Sequence, residues 1–272
     1  MKKKKKKKIV LYFMIGLVVL LLAVAVFQGV LTRHDPNLAN LSVAQLAPCK
    51  EYIFGTDHMG RCMFCRLMEG MLPTLTSAFI VIAIVFVTGT LIGITAAYYG
   101  GVVDAILMRI NVIFQAFPSF ILAMCIAGIL GSGRTSGIVA LCLVSWTHYA
   151  RLARSLAVTL IDSDYIKSAK ISGANGMYII VFHILPNIFA SLLVTAALDV
   201  SGVILSMAGL SFMGLGAQRP SCEWGLMIND NRQYLQIAPW TVLFPGMALF
   251  VVIMVFNLFA DNLRDYLDAK RD

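Results

Sequence analysis

The 272-residue chain is 59% hydrophobic and 13% charged, with a mean hydropathy of +0.83, which takes it out of the soluble globular range. Its formal net charge of +8 comes largely from a lysine run ahead of an apolar span, a topology anchor with affinity for lipid headgroups and no argument for nucleic acid. No Gly-x-x-x-x-Gly-Lys-Ser/Thr run occurs, which excludes a P-loop and leaves no cofactor expected on this chain.

Apolar runs long enough to cross ~30 Å of hydrocarbon recur at roughly 9–31, 73–100, 105–131, 136–160, 187–215 and 238–260. Isolated strands cannot satisfy their backbone in lipid, so the expectation is an all-α integral membrane protein with six transmembrane helices. Lys2 to Lys8 precede the first span. With them on the cytoplasmic side, fifteen of the 22 Lys and Arg fall inside and seven outside, which places both termini in the cytoplasm. The basic start, apolar core and Ala23-Val24-Ala25 also fit a signal peptide, but the core from Ile9 to Phe27 is long for one, so a retained helix is expected. The parts are then a basic terminus 1–8, a first helix 9–31, an outer segment 32–72, a five-helix core 73–260 and a tail 261–272.

The outer segment carries Phe54-Gly55-Thr56-Asp57-His58-Met59-Gly60-Arg61. Asp57 and His58 could accept a polar or metal substrate in an outer vestibule. The favoured reading is plainer: a turn in which Asp57 binds its own backbone and shapes that vestibule. Gly100-Gly101 and Gly131-Ser132-Gly133 mark tight connections. The fourth span turns amphipathic at Trp146, His148, Arg151 and Arg154; His34 and His148 read as interface residues.

Between the fourth and fifth spans lies a polar island, 164–187, reading DYIKSAKISGANGMYIIVFHILPN. An amphipathic helix on the membrane surface, with Tyr165, Tyr178 and Phe182 at the interface, would account for its polarity. It would not account for Gly173 standing ten residues before His183, with Pro186 closing the segment.

Asp199 lies twelve residues beyond Asn187, about 18 Å up a helix and so near the bilayer midplane. Ionisable groups there face a bundle interior or a watery path. Its helical neighbours Gly202, Ser206, Gly209 and Met213 form a small or polar stripe, whereas Val200, Val203, Ile204 and Met207 are apolar. The stripe therefore lines a translocation path, with Asp199 attracting a cation, or serves a helix–helix hydrogen bond and close packing.

Six cysteines are present. Cys125 and Cys142 fall in spans as small hydrophobes. Cys49, Cys62, Cys65 and Cys222 fall outside, as two structural disulfides, a metal or redox Cys62-x-x-Cys65 pair, or free thiols. A site of four cysteines lacks its second paired spacing.

Several of these strings resemble one family. The 54–61 run is similar to a Leu-Gly-Thr-Asp-His-Leu-Gly-Arg-Asp signature, with Cys62 in place of the closing Asp. Leu210-Ser211-Phe212-Met213-Gly214-Leu215-Gly216, Glu223-Trp224-Gly225, Met227-Ile228-Asn229-Asp230, Arg232-Gln233-Tyr234 and Asn262-Leu263-Arg264-Asp265-Tyr266-Leu267-Asp268 follow at matching places, with Ala269 for the family's proline. Together with the island, they resemble permease subunits of the dipeptide/oligopeptide/nickel ABC importers, and the 227–234 string looks closest to nickel-type members. The resemblance implies the type I importer fold in a prokaryotic cell membrane, a homologous second permease, two ATPase subunits that hold ATP and magnesium, and an extracellular solute-binding protein. It makes the island a coupling loop, 161–187, with Ala169, Gly173, Ala174, His183 and Pro186 at the ATPase, although Lys167 stands where many members carry Glu. The chain is then no enzyme itself. It carries nickel or a nickel chelate, with short peptides as the alternative and a membrane thiol oxidoreductase using Cys62 and Cys65 as a competing class.

Overall fold

The computed structural model describes residues 2–32 and 34–271, with side chains from 8 to 267 apart from residue 33. Arg33, the side chains of the lysine run before Lys8 and those of 268–271 lie outside the described residues. The regular structure of the described residues is all helical, their one extended pairing being the isolated bridge Thr56–Cys62. In order come α1 (Lys2–Val26), α2 (Gln28–Leu31), α3 (Met63–Tyr99), α4 (Gly101–Gln115), α5 (Ser119–Leu130), α6 (Arg134–Ile161), α7 (Asp164–Ile171), α8 (Gly176–Tyr178), α9 (Leu185–Phe212), α10 (Trp224–Asn231) and α11 (Trp240–Arg271). A six-residue π segment, Ile179–Ile184, joins α8 to α9 without a break.

Four stretches are long and apolar enough to cross a membrane: Lys8–Val26, Met63–Tyr99, Gly176–Phe212 and Trp240–Leu267. The expected third span, 105–131, is not one straight helix, because α4 and α5 meet at 87° and count as a fifth crossing only as a bent pair. Pro118 causes the break: it has no N–H to give, and it pushes the preceding residue out of the helical region. α6 runs unbroken for 28 residues, but the polar residues of its second half keep it from the same apolar standard.

α3 begins at Met63, ten residues before the expected span, and runs for 37 residues, about 55 Å at the usual rise. Cys62 starts it, its Sγ accepting from the Cys65 N–H at 3.3 Å. Met63, Leu67 and Met71 then recur on one buried face, so residues 63–72 belong to the helix and not to the loop before it.

The spine of the fold is α3 packed along α6. A Cβ on Gly89 would sit 2.6 Å from the Trp146 carbonyl oxygen, and one on Gly93 would sit 2.3 Å from that of Ala150. Gly89 and Gly93 thus form a small-xxx-small seam that lets the two backbones touch. A large core of buried residues from α3, α6, α9 and α11 surrounds this spine, and a second, smaller core lies beneath the polar island. The bundle therefore has a loop-rich end, formed by 34–62 and 213–239, and an island end.

Candidate functional sites: a polar cavity, a folded loop end and an island

Half-way along the bundle, α3, α5, α6 and α9 leave a cavity of about 340 Å³. Its lining includes Asp199, Gly202 and Ser206 of the predicted stripe, with Ser119, His148 and Tyr149 from the facing helices. A Cβ on Gly202 would meet nothing within 4 Å, so this part of the stripe is open space. The Ser206 hydroxyl donates to the Gly202 carbonyl at 2.8 Å, which is how a helix carries a hydroxyl without leaving it unpaired. The other two stripe residues stand apart. Gly209 lies under Phe120, whose ring would be 3.0 Å from a Cβ there, and Met213 is 54% exposed at the end of α9, away from the cavity.

Asp199 is half-buried. It interacts electrostatically with Tyr149 and His148, yet the buried Tyr149 hydroxyl makes no hydrogen bond of acceptable geometry. Tyr149 and Asp199 are near neighbours in the cavity wall. His148 corrects the sequence reading: it is no interface residue but part of the cavity, brought opposite Asp199 by α6. Sequence reasoning missed it and Tyr149. The signal was there in the amphipathic second half of the fourth span, whose polar face needed something to look at. A carboxylate and an imidazole with hydroxyls around them form a donor set for a borderline cation.

At the loop-rich end Asp57 has a different role. It is 0% exposed. Its Oδ1 accepts from the N–H groups of Met59 and Arg61, both at 2.9 Å, and its Oδ2 accepts from Arg61 Nε at 2.7 Å. Arg66, 2% exposed, approaches the same oxygen at 3.7 Å and also donates to the Pro36 carbonyl at 3.1 Å. Asp57 is therefore the anchor of a turn, as favoured from the sequence, and no open vestibule ligand. His58 is half-buried, stacked on Tyr234 with ring centroids 5.3 Å apart, and its Nδ1 lies 3.0 Å from Asn231 Oδ1. Asn231 Nδ2 donates to the Met227 carbonyl, which leaves Oδ1 as the acceptor and puts the proton on His58 Nδ1.

The motif Glu223-Trp224-Gly225 serves the same scaffold. Trp224 is fully buried and donates from Nε1 to the Leu67 carbonyl at 2.9 Å. Gly225 presses on α9, where a Cβ would be 2.2 Å from the Ala208 carbonyl oxygen. Glu223 caps α10 by accepting from the Leu226 N–H at 3.0 Å, and its burial raises the carboxyl above the ordinary range.

All six cysteines are free thiols. Neither structural disulfide is formed; Cys222 instead donates to the Glu69 carboxylate at 3.1 Å. Burial pushes the Cys62 and Cys222 thiols up to about 12. Reactive thiols need the opposite shift, so nothing favours a thiol oxidoreductase.

The island folds as α7, a tight turn, and α8 running into α9. Gly173 has φ +82°. The Ala174 N–H donates to the Ala169 carbonyl and the Gly173 N–H to that of Lys170, each at 3.1 Å, the paired bonds of a Schellman cap. Nothing lies within 4 Å of a Cβ built on Gly173, so within this chain the glycine is needed for its left-handed backbone and not for close approach. Close approach falls to Gly176, whose Cβ would meet the Tyr98 ring at 2.9 Å; Lys170 Nζ lies over the same ring, 5.2 Å from its centroid. Neither Tyr98 nor Gly176 was singled out from the sequence.

Ile166, Ile179, Ile180 and Ile184 turn inward to join Ile94, Ala153 and Ala157 in the smaller core, with Ala169 and Ala174 at its edge. His183 is half-buried near the rings of Tyr165 and Tyr178. Of the five expected coupling residues, only Gly173 and Pro186 are exposed. Around them, Ile171 is 87% and Met177 66% exposed, an apolar face that this chain leaves uncovered.

Comparison with known proteins agrees in family. Residues 89–272 match the family model for binding-protein-dependent transport system inner membrane components. The nickel transport system permease protein NikC of Escherichia coli K12 is 41% identical over 235 residues, covering 86% of this chain and 85% of that protein. The dipeptide transport system permease protein DppC of Alkalihalophilus pseudofirmus is 40% identical over 258 residues, covering 94% of this chain and 85% of that one. The glutathione transport system permease protein GsiD of Pectobacterium atrosepticum is 37% identical, covering 93% and 84%. In fold, the inward-facing MetNI methionine ABC transporter superposes with a TM-score of 0.61 at 19% identity, covering 75% of this chain and 97% of that one.

Proposed function

The chain belongs to the family of binding-protein-dependent transport system inner membrane components, and from that premise we propose that it forms half of a translocation path for nickel, free or chelated. As a member it is a multi-pass permease subunit of a bacterial inner-membrane importer and no enzyme. The observation that carries the cargo is the midplane cavity of about 340 Å³, where Asp199 and His148 stand among hydroxyls. Carboxylate and imidazole are donors that Ni²⁺ accepts, and an acid held in a greasy bundle has a function by default. The kinship with a nickel permease at 41% identity supports the same cargo.

In this reading the loop-rich end faces outward to a solute-binding protein, the island faces the cytoplasm, and a homologous permease closes the other half of the path. The island's uncovered face at Ile171, Gly173 and Met177 docks one of two ATPase subunits, which hold ATP and magnesium. Because Ile166 and Ile179 root the island in α3 and α6, a push on that face moves the helices that wall the cavity.

Uptake of radiolabelled nickel by cells carrying the whole importer tests this. Asp199→Asn should cut uptake at low nickel about tenfold, the change expected of about 1.4 kcal/mol of lost attraction, while co-purification with the ATPases stays intact. Equal uptake by the variant would remove the cation path. A second reading, carriage of short peptides, is favoured by the dipeptide permease, which matches more of this chain, 94%; competition by a dipeptide with no effect of Asp199→Asn would select it.

A further inference from the structure

At the loop-rich end, an imidazole nitrogen of His34 and the Sγ atoms of Cys62 and Cys65 all lie within 4.8 Å of one another. We propose that these three side chains bind a thiophilic metal ion of the Zn²⁺ class, on a site separate from the cavity at Asp199 and independent of what the importer carries.

The donor set selects the ion. Two cysteines, which give up their protons to solvent as the metal binds, and one imidazole suit Zn²⁺ or Cu⁺ and reject Mg²⁺ and Ca²⁺, which want oxygen. Zinc bonds of about 2.3 Å to sulfur and 2.0–2.1 Å to nitrogen bring the donors to roughly 3.5–3.8 Å from one another. The donors need to draw together by about an ångström to close on an ion, a distance within the reach of side-chain rotation.

The surroundings are those of a built site. Cys62 and Cys65 are fixed by the first turn of α3, at 5% and 1% exposure. The Cys65 N–H already points at Cys62 Sγ from 3.3 Å, an outer-shell bond of the kind that stabilises a metal-bound thiolate. The His34 ring is held in its plane by stacking on Tyr52, 5.2 Å between centroids and 23° apart. A cavity of about 280 Å³ opens onto all three residues, with Lys50 and Glu51 also in its lining, which leaves an entry path and an open fourth position for water or another ligand. Cys62 stands where the resembling family signature has Asp, so the second sulfur is a property of this chain. Bound there, the ion clips the segment after α2 to the start of α3 and closes the 34–62 loop, whose ordering entropy a cross-link reduces.

The test uses the full chain, purified in detergent with reductant and without oxygen, and Co²⁺ as a coloured stand-in for Zn²⁺. The expected result is one Co²⁺ per chain with a near-ultraviolet thiolate-to-cobalt band, displaced by one equivalent of Zn²⁺. Cys62→Ser keeps an oxygen to cap α3, so its fold is preserved while the band is lost; Cys65→Ser also loses it, His34→Gln weakens binding, and Cys49→Ser leaves it unchanged. A readout without variants accompanies this: Zn²⁺ should protect Cys62 and Cys65, but not Cys49, from alkylation, as read by peptide mass. Failure of the reduced chain to take up Co²⁺, or a band that survives in Cys62→Ser and Cys65→Ser, would overturn the site. So would a Cys62–Cys65 disulfide in protein taken from cells without reductant, which would assign the pair to redox chemistry.

Discussion

Asp57 and Asp199 are both acids in a chain with little room for them, and their surroundings differ at every point. Asp57 is wholly enclosed, with two N–H groups and the Arg61 guanidinium on its two oxygens and Arg66 behind. Asp199 is half-buried beside an open cavity, with Tyr149 near it but making no hydrogen bond. Burial alone therefore does not mark a functional acid. A carboxylate enclosed by three hydrogen bonds and two guanidinium groups holds structure, whereas one with space in front of it can take a passing ion.

The largest expected effect breaks the first half of that comparison. Asp57→Ala leaves Arg61 and Arg66 buried, at 5% and 2% exposure, without their counter-charge. Removing one member of such a buried group costs about 3–5 kcal/mol. The variant should melt far below the wild type in detergent and assemble poorly, and its uptake should fall only in proportion to the chain that assembles. If Asp57→Ala assembled normally and lost uptake alone, Asp57 would be a substrate ligand and the contrast with Asp199 would vanish.

Two glycines sharpen the same contrast within the bundle. Gly93 touches α6 so closely that a Cβ would lie 2.3 Å from a backbone oxygen, so Gly93→Val should cost about 1–3 kcal/mol or more by overpacking. Gly202 faces open space, and valine is a better helix former than glycine, so Gly202→Val should fold at least as well as the wild type. Its side chain would enter the cavity next to Asp199, and nickel uptake should drop. A thermal melt of each, set beside uptake, separates the packing glycine from the path glycine.

Gly173→Ala comes next. At φ +82° a side chain in the left-handed region costs roughly 1–2 kcal/mol, and the strain falls on the Schellman cap that turns α7 into α8. The expected outcome is a small fall in melting temperature with a larger loss of ATPase co-purification, because the turn sits on the face that the island leaves uncovered. A normal yield of ATPase with Gly173→Ala would place coupling elsewhere.

What the residues revealed in advance follows the same division. Long apolar runs announce helices because lipid permits little else, and Asp199 stood out because a charge near the midplane is expensive. The break at Pro118 and the early start of α3 were harder to see. A proline in an apolar run can be absorbed, as Pro73 and Pro245 are within α3 and α11, or can bend the chain by 87°; which happens depends on neighbours and not on the string. His148 and Tyr149 were hidden for a related reason. They come from a helix about 50 residues away from Asp199, and tertiary packing such as the α3–α6 seam at Gly89 and Gly93 brings them to its cavity. His34 joins Cys62 and Cys65 across a loop of irregular backbone, where no periodicity exists to be read.

The smallest effect belongs to Arg154 and Asp104, and it tests whether a second, two-pronged ion pair resembles Asp57 or not. Arg154 reaches from α6 to α4 and donates from Nε and Nη2 to the two oxygens of Asp104, a geometry as favourable as that of Arg61 with Asp57. Its surroundings are not: the side chains are 36% and 21% exposed. Water and ions screen such a pair, so Asp104→Asn should cost no more than about 1 kcal/mol, and raising the salt should shrink the difference in melting temperature from wild type further. For Asp57 the loss should hardly respond to salt. A large and salt-insensitive loss in Asp104→Asn would show that geometry outweighs enclosure in this protein. The expected outcome, a small and screened one, makes enclosure the property that separates its structural acids from the rest.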